Sequence, residues 1–397
     1  MTASRRKFLR SGLLTGSAFL SANMLWSLPT RATKLAVGTL GELRASNLPQ
    51  LLLPPGFRAR IIARSGHPPV AGNTFAWHGA PDGGACFPDK NNGWIYVSNS
   101  EKRAGKGGAS ALRFDANGEL YDAYSILNGT ERNCAGGATS WNTWLSCEEP
   151  PYGIAGQVYE CDPYGQQEAR PLPAMGLFCH EAVAQDLQNG HLYLTEDVPD
   201  GCLYRFVPAG MLPGGRLDLD NGRLEVATWD NSAKTRLAWK TVPDPSGEQR
   251  PTREQVRGVA RFNGGEGCAW HDGQLFFTTK GDNRLWRLHL ASNHIAPLYD
   301  DDFFTSPILR GVDNITVSCS GDILVAEDGD DMQIVIVDSK GQTQPLLQLL
   351  GHPRSEIAGP AFSPGGDRLY FSSQWGSSGA IDGRDGITFE VTGPFSC

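Results

Sequence analysis

A six-fold internal repeat constrains the fold of this chain more than any other feature of its sequence. Each copy is a short apolar strand pattern that ends in a polar pair, and the copies begin at residues 94, 143, 191, 274, 322 and 368. The intervals between these starts are 49, 48, 83, 48 and 46 residues. A period of roughly 40–50 residues built from short strands is typical of propeller blades. The sequence therefore predicts an all-β, six-bladed β-propeller.

The one long interval lies between the third and fourth repeats. It predicts an insertion at about residues 209–260, which is rich in Asp, Gly and Pro. A seventh blade around residues 224–229 is the alternative explanation of this interval. The high content of turn formers, with 48 Gly and 26 Pro, fits a turn-rich all-β chain.

Charge and hydropathy narrow the range of partners. The 397 residues carry a net charge of −8, and no cluster of Lys and Arg follows the first 34 residues. This distribution argues against nucleic acid as a partner. Beyond the N-terminal segment no apolar run is long enough to span a membrane. We therefore expect residues 33–397 to form a single propeller domain, monomeric and without a membrane span.

The N-terminus has the pattern of an export signal. Residues 4–9 read Ser-Arg-Arg-Lys-Phe-Leu, and a modestly apolar stretch with Gly and Ser follows over residues 11–28. Paired arginines before such a stretch are typical of a twin-arginine signal. The sequence thus predicts a signal segment at residues 1–32, the twin-arginine export machinery as a partner, and a periplasmic or secreted mature protein.

Polar residues recur at a nearly constant distance before the end of each repeat. The strand preceding each copy opens with a polar residue, and the distance to the polar pair downstream is 14 or 15 residues in three cases. Antiparallel strands joined by a hairpin place the start of the first beside the end of the second. We therefore expect three close pairs, which are Asn133 with Glu148, Glu181 with Glu196, and Asp313 with Glu327.

In a propeller the first strand of each blade lines the central channel, so these sites should meet at one mouth. That many carboxylates cannot share a small volume in ionised form unless cations neutralise them. The sequence thus predicts a polynuclear metal centre, against the alternative of independent acids that cap turns. The predicted metal ligands are Cys147, Glu148, Glu149, Glu181, Glu196, Asp197, Glu266, Asp313, Asn314, Glu327 and Asp328.

Nine cysteines, all from Cys86 onward, bear on the choice of metal. Their number is odd and no C-x-x-C pair occurs, which argues against a zinc knuckle and leaves at least one thiol outside intrachain disulfides. Cys147 directly precedes two carboxylates, Glu148 and Glu149. A thiolate suits iron, zinc or copper, whereas carboxylates suit calcium, magnesium or iron. We therefore expect a transition metal at Cys147 and calcium on the oxygen ligands.

Seven stretches together resemble the PhoX-type alkaline phosphatases. They run in order through most of the mature chain, and each alone would be a weak signal. The stretches are residues 132–137, 144–149, 180–184, 194–201, 265–267, 313–317 and 326–329. The resemblance implies an exported six-bladed propeller that hydrolyses small-molecule phosphomonoesters at an axial centre of Fe3+ and Ca2+.

The resemblance also implies individual roles. Cys147 would bind iron, and Glu181, Glu266 and Glu327 would complete the iron and calcium shells. Longer members of the family place a phosphate-binding arginine just before the acid that matches Glu266, but residues 262–265 contain none. Candidates for its role are Lys280, Arg132, Arg261 and Arg284. The expected catalytic residues are thus Cys147, Glu266, Lys280 and Arg132.

Two other functions fit the same repeat. One is a calcium-dependent, lactonase-type propeller hydrolase, which would bind a single hard cation and give Cys147 no role. The other is a non-catalytic propeller whose blades are held by calcium. Iron together with calcium in the purified protein would favour the phosphatase over both.

Overall fold

The structure is a computed structural model that describes residues 37–151, 155–329 and 331–395. These residues form six antiparallel sheets arranged as the predicted six-bladed propeller, with only short 3-10 turns besides the strands. The predicted export signal lies outside the described residues. Within the described ranges, no helix has the length and apolar character needed to cross a bilayer.

Each repeat found in the sequence is the second strand of one blade. The strands of blade 1 are Pro81–Pro88, Trp94–Ser100, Gly107–Phe114 and Leu120–Thr130. Those of blade 2 are Asn133–Ala138, Trp144–Glu148, Val158–Cys161 and Arg170–Pro171. Those of blade 3 are His180–Gln185, Leu192–Glu196, Leu203–Pro208, Gly222–Trp229 and Leu237–Thr241.

The remaining three blades follow the same plan. The strands of blade 4 are Gly265–His271, Gln274–Thr279, Arg284–His289 and His294–Asp300. Those of blade 5 are Val312–Val317, Ile323–Glu327, Gln333–Val337, Thr343–Leu349, Leu51–Leu53 and Arg44–Ala45. Those of blade 6 are Ile357–Phe362, Arg368–Ser373, Ile387–Thr392 and Arg58–Arg64. The 3-10 turns are Lys90–Asn92, Pro173–Met175, Thr252–Glu254, Lys280–Asp282 and Asp301–Phe303.

The ring is closed by strands from the two ends of the described chain. Arg58–Arg64 pairs antiparallel with Ile387–Thr392 as the outer strand of blade 6. Leu51–Leu53 pairs with Thr343–Leu349 of blade 5. Because blades 5 and 6 each contain early and late strands, the circle cannot open without breaking a sheet.

The insertion between the third and fourth repeats belongs to blade 3. Gly222–Trp229 pairs with Leu203–Pro208, and Leu237–Thr241 pairs with Gly222–Trp229. The predicted insertion therefore supplies a fourth and a fifth strand to an existing blade, and no seventh blade forms around residues 224–229.

The innermost strand of every blade has a register irregularity just after its first one or two residue pairs. Such a bulge bends the strand and redirects the side chain that it contains. Neighbouring inner strands also approach closely, since a Cβ built on Gly137 would lie 2.0 Å from the carbonyl oxygen of Val183 in the next blade. Glycine is required there because no other residue leaves room for this approach.

Candidate active site at the propeller axis

Two positions in each blade are directed toward the axis at one end of the channel. One is the second residue of the inner strand, within the bulge, and the other follows the end of the second strand. In five blades both residues line a common cavity of about 200 Å³. These pairs are Asp82 and Glu101, Cys134 and Glu149, Glu181 and Asp197, Glu266 and Lys280, and Asp313 and Asp328.

Blade 6 departs from this plan. Ala358 and Gln374 occupy the two positions, and the Gln374 amide donates to Asp82 Oδ2 at 2.5 Å and to Glu101 Oε2 at 2.9 Å. Its acid comes instead from Glu356, just before the inner strand. The rest of the cavity lining is Arg103, Arg132, Trp375 and Ile381.

The cavity carries a large excess of negative charge. Nine carboxyl groups face three cationic side chains there, which leaves six carboxylates uncompensated if all are ionised. Several of these acids are removed from solvent, with Glu181 fully buried and Asp82 and Glu266 each 2% exposed. Buried carboxylates of this density require either protons or bound cations.

Without cations, protons would have to neutralise the cavity. Burial raises the pKa of Glu149 to about 8, and Arg132 offsets only part of this effect. Burial likewise raises the pKa of Asp313 to about 6 against the opposing charge of Lys280. The pKa of Glu181 is raised well above its usual value by burial and then by nearby acids such as Glu266.

Unpartnered buried oxygens show that the cavity fits metal ions. Glu181 Oε2 is buried without a hydrogen-bond partner. Glu266 Oε1 also makes no hydrogen bond, although it lies 3.4 Å from Lys280 Nζ. Four triads place their ligand atoms within 4.8 Å of one another. They are Cys134–Glu149–Glu181, Glu181–Glu266–Asp313, Asp82–Glu101–Glu356 and Asp313–Asp328–Glu356.

The thiol at this cavity belongs to Cys134. Its Sγ lies 3.2 Å from Glu181 Oε1 and 3.6 Å from Asp82 Oδ2. Burial and these two acids raise the pKa of the Cys134 thiol. A bound cation would favour the thiolate, which is the form that binds metals.

Cys147, the thiol predicted as a ligand, does not line the cavity. It is fully buried within the second strand of blade 2 and belongs to an apolar cluster with Leu145 and Val158. The thiol therefore lies among apolar side chains, where a free cysteine acts as a small hydrophobic residue.

Three predicted acids at strand ends also face away from the cavity. Glu148, Glu196 and Glu327 accept backbone N–H groups and so fix the loops at the ends of their strands. Their amide partners are Glu131 and Gln157 for Glu148, Cys202 for Glu196, and Arg310 and Gln333 for Glu327. Successive residues of a strand point to opposite sides, so the next acid in each blade faces the cavity.

Replacing Glu327 by alanine should reduce the free energy of unfolding by about 1–3 kcal/mol, because the buried Gln333 N–H would lose its acceptor. Glu327→Gln, which keeps one oxygen acceptor, should lose less. Urea unfolding of the two variants measures the difference. Equal stability of Glu327→Ala and the parent protein would show that this contact does not hold the loop.

The remaining predicted residues fall into two groups. Glu149, Glu181, Asp197, Glu266, Lys280, Asp313, Asp328 and Arg132 are brought together at the cavity. Asn314 is not, since its amide spans two blades by donating to Asp313 Oδ1 and accepting from the Gly359 N–H.

Sequence reasoning missed several lining residues. They are Asp82, Glu101, Cys134, Glu356, Arg103, Trp375 and Ile381. Extending each repeat by one position would have found Glu101, which follows the strand of blade 1 as Glu149 follows that of blade 2. Cys134 lies inside one of the motifs, next to Asn133, and is not among the predicted ligands.

Two of the cavity cations are tied to cavity acids. Arg132 lies 2.7 Å from Glu149 Oε2 and also pairs with Glu101. Lys280 Nζ lies 2.8 Å from Asp328 Oδ2. Of the other phosphate-binding candidates, neither Arg261 nor Arg284 lines the cavity. Their ion pairs are with Asp200 for Arg261, and with Asp282 and Asp300 for Arg284.

The fold and the cavity define a class of protein, a six-bladed propeller with an acidic, thiol-containing axial site. The family model described as "Alkaline phosphatase PhoX" matches residues 107–295. Over those residues the chain is similar to the PhoX family of alkaline phosphatases, as its motifs predicted. No curated protein matches the chain.

Solved structures support the fold. Pseudomonas fluorescens PhoX, in complex with vanadate as a transition state analogue, has a TM-score of 0.70 at 16% identity, and the match covers 87% of this chain and 96% of that one. A gluconolactonase from Xanthomonas campestris has a TM-score of 0.50 at 12% identity, covering 90% and 99%. At these identities the likeness shows the shared propeller alone.

Proposed function

We propose that the protein is an exported phosphomonoesterase that acts at the axial cavity with bound calcium and iron. The observation that carries this proposal is the convergence of nine carboxyl groups and one thiol on a cavity with unpartnered, buried carboxylate oxygens. The match to the PhoX family supports the reaction class.

The ligand types divide the cavity between two kinds of cation. The triads that contain Glu356 offer only carboxylate oxygens, which suit Ca2+. The triad of Cys134, Glu149 and Glu181 adds a soft thiolate, which suits iron. We therefore propose Cys134 as the iron ligand in place of Cys147.

Phosphoryl transfer depends on positive charge around the phosphate oxygens, which the bound cations would supply. Lys280 adds to this charge. Burial lowers the pKa of its ammonium, but the charges of Glu266 and Asp313 outweigh that effect and raise the pKa above its usual value. In the metal-free cavity Lys280 Nζ therefore keeps its proton and is able to donate hydrogen bonds.

The lactonase-type alternative would need one hard cation and no thiol. The position of Cys134 Sγ, 3.2 Å from Glu181 Oε1, favours the mixed centre instead. Metal analysis of the purified protein, together with turnover of p-nitrophenyl phosphate and of a sugar lactone, tests the choice. Calcium without iron and lactone turnover alone would favour the lactonase.

The export proposal rests on the paired arginines at residues 5 and 6. Arg5→Lys combined with Arg6→Lys should leave the protein in the cytoplasm, because the export pathway reads this pair. Cell fractionation followed by immunoblotting measures the result. An unchanged periplasmic yield would contradict the proposed route.

The stability that the cavity acids give the metal-free protein should decrease as the pH rises from about 4 to about 8. The folded state raises the pKa of Asp313 to about 6 and of Glu149 to about 8, so it binds protons more tightly than the unfolded chain. The resulting stability is present below the unfolded pKa values of about 4 and disappears as pH passes the folded values. Thermal melts of chelated protein measure this.

Glu149→Gln provides the control for that pH series. It removes the carboxyl group that has the higher folded-state pKa of the two. Its metal-free melting temperature should change less between pH 6 and pH 8 than that of the parent. Metal should restore most of the lost stability at pH 8, since cations and protons compete for the same oxygens. A flat pH profile in metal-free protein would refute the electrostatic description of the cavity.

A further inference from the structure

Arg103 differs from the other two cations of the axial cavity. Arg132 and Lys280 are paired with cavity acids, as described above. Among the described residues, Arg103 makes no ion pair and no hydrogen bond through its side chain, although it lines the same cavity and is exposed. It is therefore a guanidinium at the mouth of the cavity that is free to bind a ligand.

The loop that carries Arg103 is fixed in place. The Glu131 carboxylate accepts the backbone N–H groups of Ala104 at 3.1 Å and Gly105 at 2.9 Å. The backbone N–H of Glu131 in turn donates to Glu148 Oε1 at 2.9 Å. Glu148 of blade 2 thus fixes Glu131, which in turn fixes the blade 1 loop that carries Arg103. The backbone of Arg103 is therefore held at the mouth of the cavity, and its side chain remains free.

The mouth also has an apolar wall on blade 6. Trp375 and Ile381 line the cavity, and Ile381 is 70% exposed. The backbone N–H of Trp375 donates to Ser355 Oγ at 3.0 Å. A Cβ built on Gly376 would lie 1.9 Å from the carbonyl oxygen of Asp385, so the two segments of this loop pack closely there. An apolar wall thus stands beside a charged cavity.

We propose that Arg103 binds the outward oxygens of the substrate phosphate and that Trp375 and Ile381 receive an aromatic alcohol group. The preferred substrates would then be aryl phosphomonoesters rather than polyol phosphates. A guanidinium binds phosphate through paired hydrogen bonds, and the half-buried Trp375 in the cavity wall offers a ring face for stacking. This inference rests on the proposed function and names its phosphate clamp and substrate class.

Two phosphonates that cannot be hydrolysed test the proposal by calorimetry on the metal-loaded protein. Phenylphosphonate should bind about 3- to 10-fold more tightly than ethylphosphonate, the gain expected from an aromatic pair. Arg103→Ala should weaken the binding of both phosphonates by about 10- to 100-fold, as expected for the loss of a charged hydrogen bond. Trp375→Ala should remove the preference for phenylphosphonate, and Trp375→Phe should retain most of it.

Arg236→Ala is the control for net charge. It removes an equal charge from an exposed site paired with Asp230, outside the cavity lining, and should leave both affinities unchanged. The inference is overturned if Arg103→Ala matches this control, if Trp375→Ala keeps the preference, or if the parent binds neither phosphonate. Turnover of p-nitrophenyl phosphate is measured separately, so binding without turnover would contradict the proposed function and leave the clamp intact.

Discussion

Replacing Cys134 by serine is expected to remove the proposed iron from the protein and to lower the proposed phosphatase activity roughly 100-fold or more. Even residues that only orient a metal ligand change affinity or activity by about 10- to 100-fold, so loss of a direct ligand should cost at least as much. Serine keeps the size of cysteine but replaces a soft ligand with one that ionises poorly. Metal analysis and turnover of p-nitrophenyl phosphate measure the two losses together.

Cys147→Ser is the matched control, since the same atom is exchanged in the same blade. Cys147 is enclosed by apolar neighbours, so this variant should lose stability by an amount typical of a buried polar group, about 1–3 kcal/mol, yet keep its iron. The opposite outcome, with iron lost only from Cys147→Ser, would restore the ligand expected from the sequence. Loss of iron from neither variant would mean that no thiol holds the metal.

Removing the metals with a chelator is expected to lower the melting temperature at pH 8 by roughly 5 °C or more. A ligand at 100 times its dissociation constant stabilises the folded state by about 2.7 kcal/mol, and each kcal/mol shifts the melting temperature by about 2–4 °C in domains of moderate size. The excess of six carboxylates in the cavity is the physical reason. Differential scanning calorimetry, with calcium then added back, measures the effect.

Glu181→Gln sharpens this experiment, because it neutralises a fully buried carboxyl group without changing its shape. The variant should melt higher than the parent when both are metal-free, since the glutamine amide is neutral without taking up a proton or a cation. It should gain less than the parent when metal is added. If the parent melts at the same temperature with and without chelator, the acids of the cavity do not share a cation site.

The sequence alone determined the architecture. The period of the repeat located the second strand of all six blades, and for blade 1 the predicted residues 94–100 coincide with the strand Trp94–Ser100. The local pattern suffices here because each second strand is an apolar run bounded by turns, which packs between neighbouring strands of its own sheet. Hairpin geometry also predicted that the acids of different repeats meet at one end of the channel.

Only the tertiary structure decided which side chains reach the axis. In the sheet, His180 and not Glu181 stands opposite Glu196, so the register differs by one residue from the predicted pairing. A shift of one residue reverses the direction of a side chain, and the bulge after this pair adds a second change of direction. The register shift and the bulge cannot be predicted from the spacing of residues in the sequence, because both depend on how the inner strands pack against one another.

The positions of Cys134 and Cys147 relative to the axis were likewise decided only by the tertiary structure. Cys147 stands beside two acids in sequence but lies within a second strand, whereas Cys134 occupies a bulge of an inner strand and faces the acid of the next blade, Glu181. Proximity along the chain does not show which thiol lines the cavity, because the residues that line it come from successive blades. The ring of blades brings residues as distant in sequence as Asp82 and Ile381 to a single cavity, and this convergence exists only once the circle has closed.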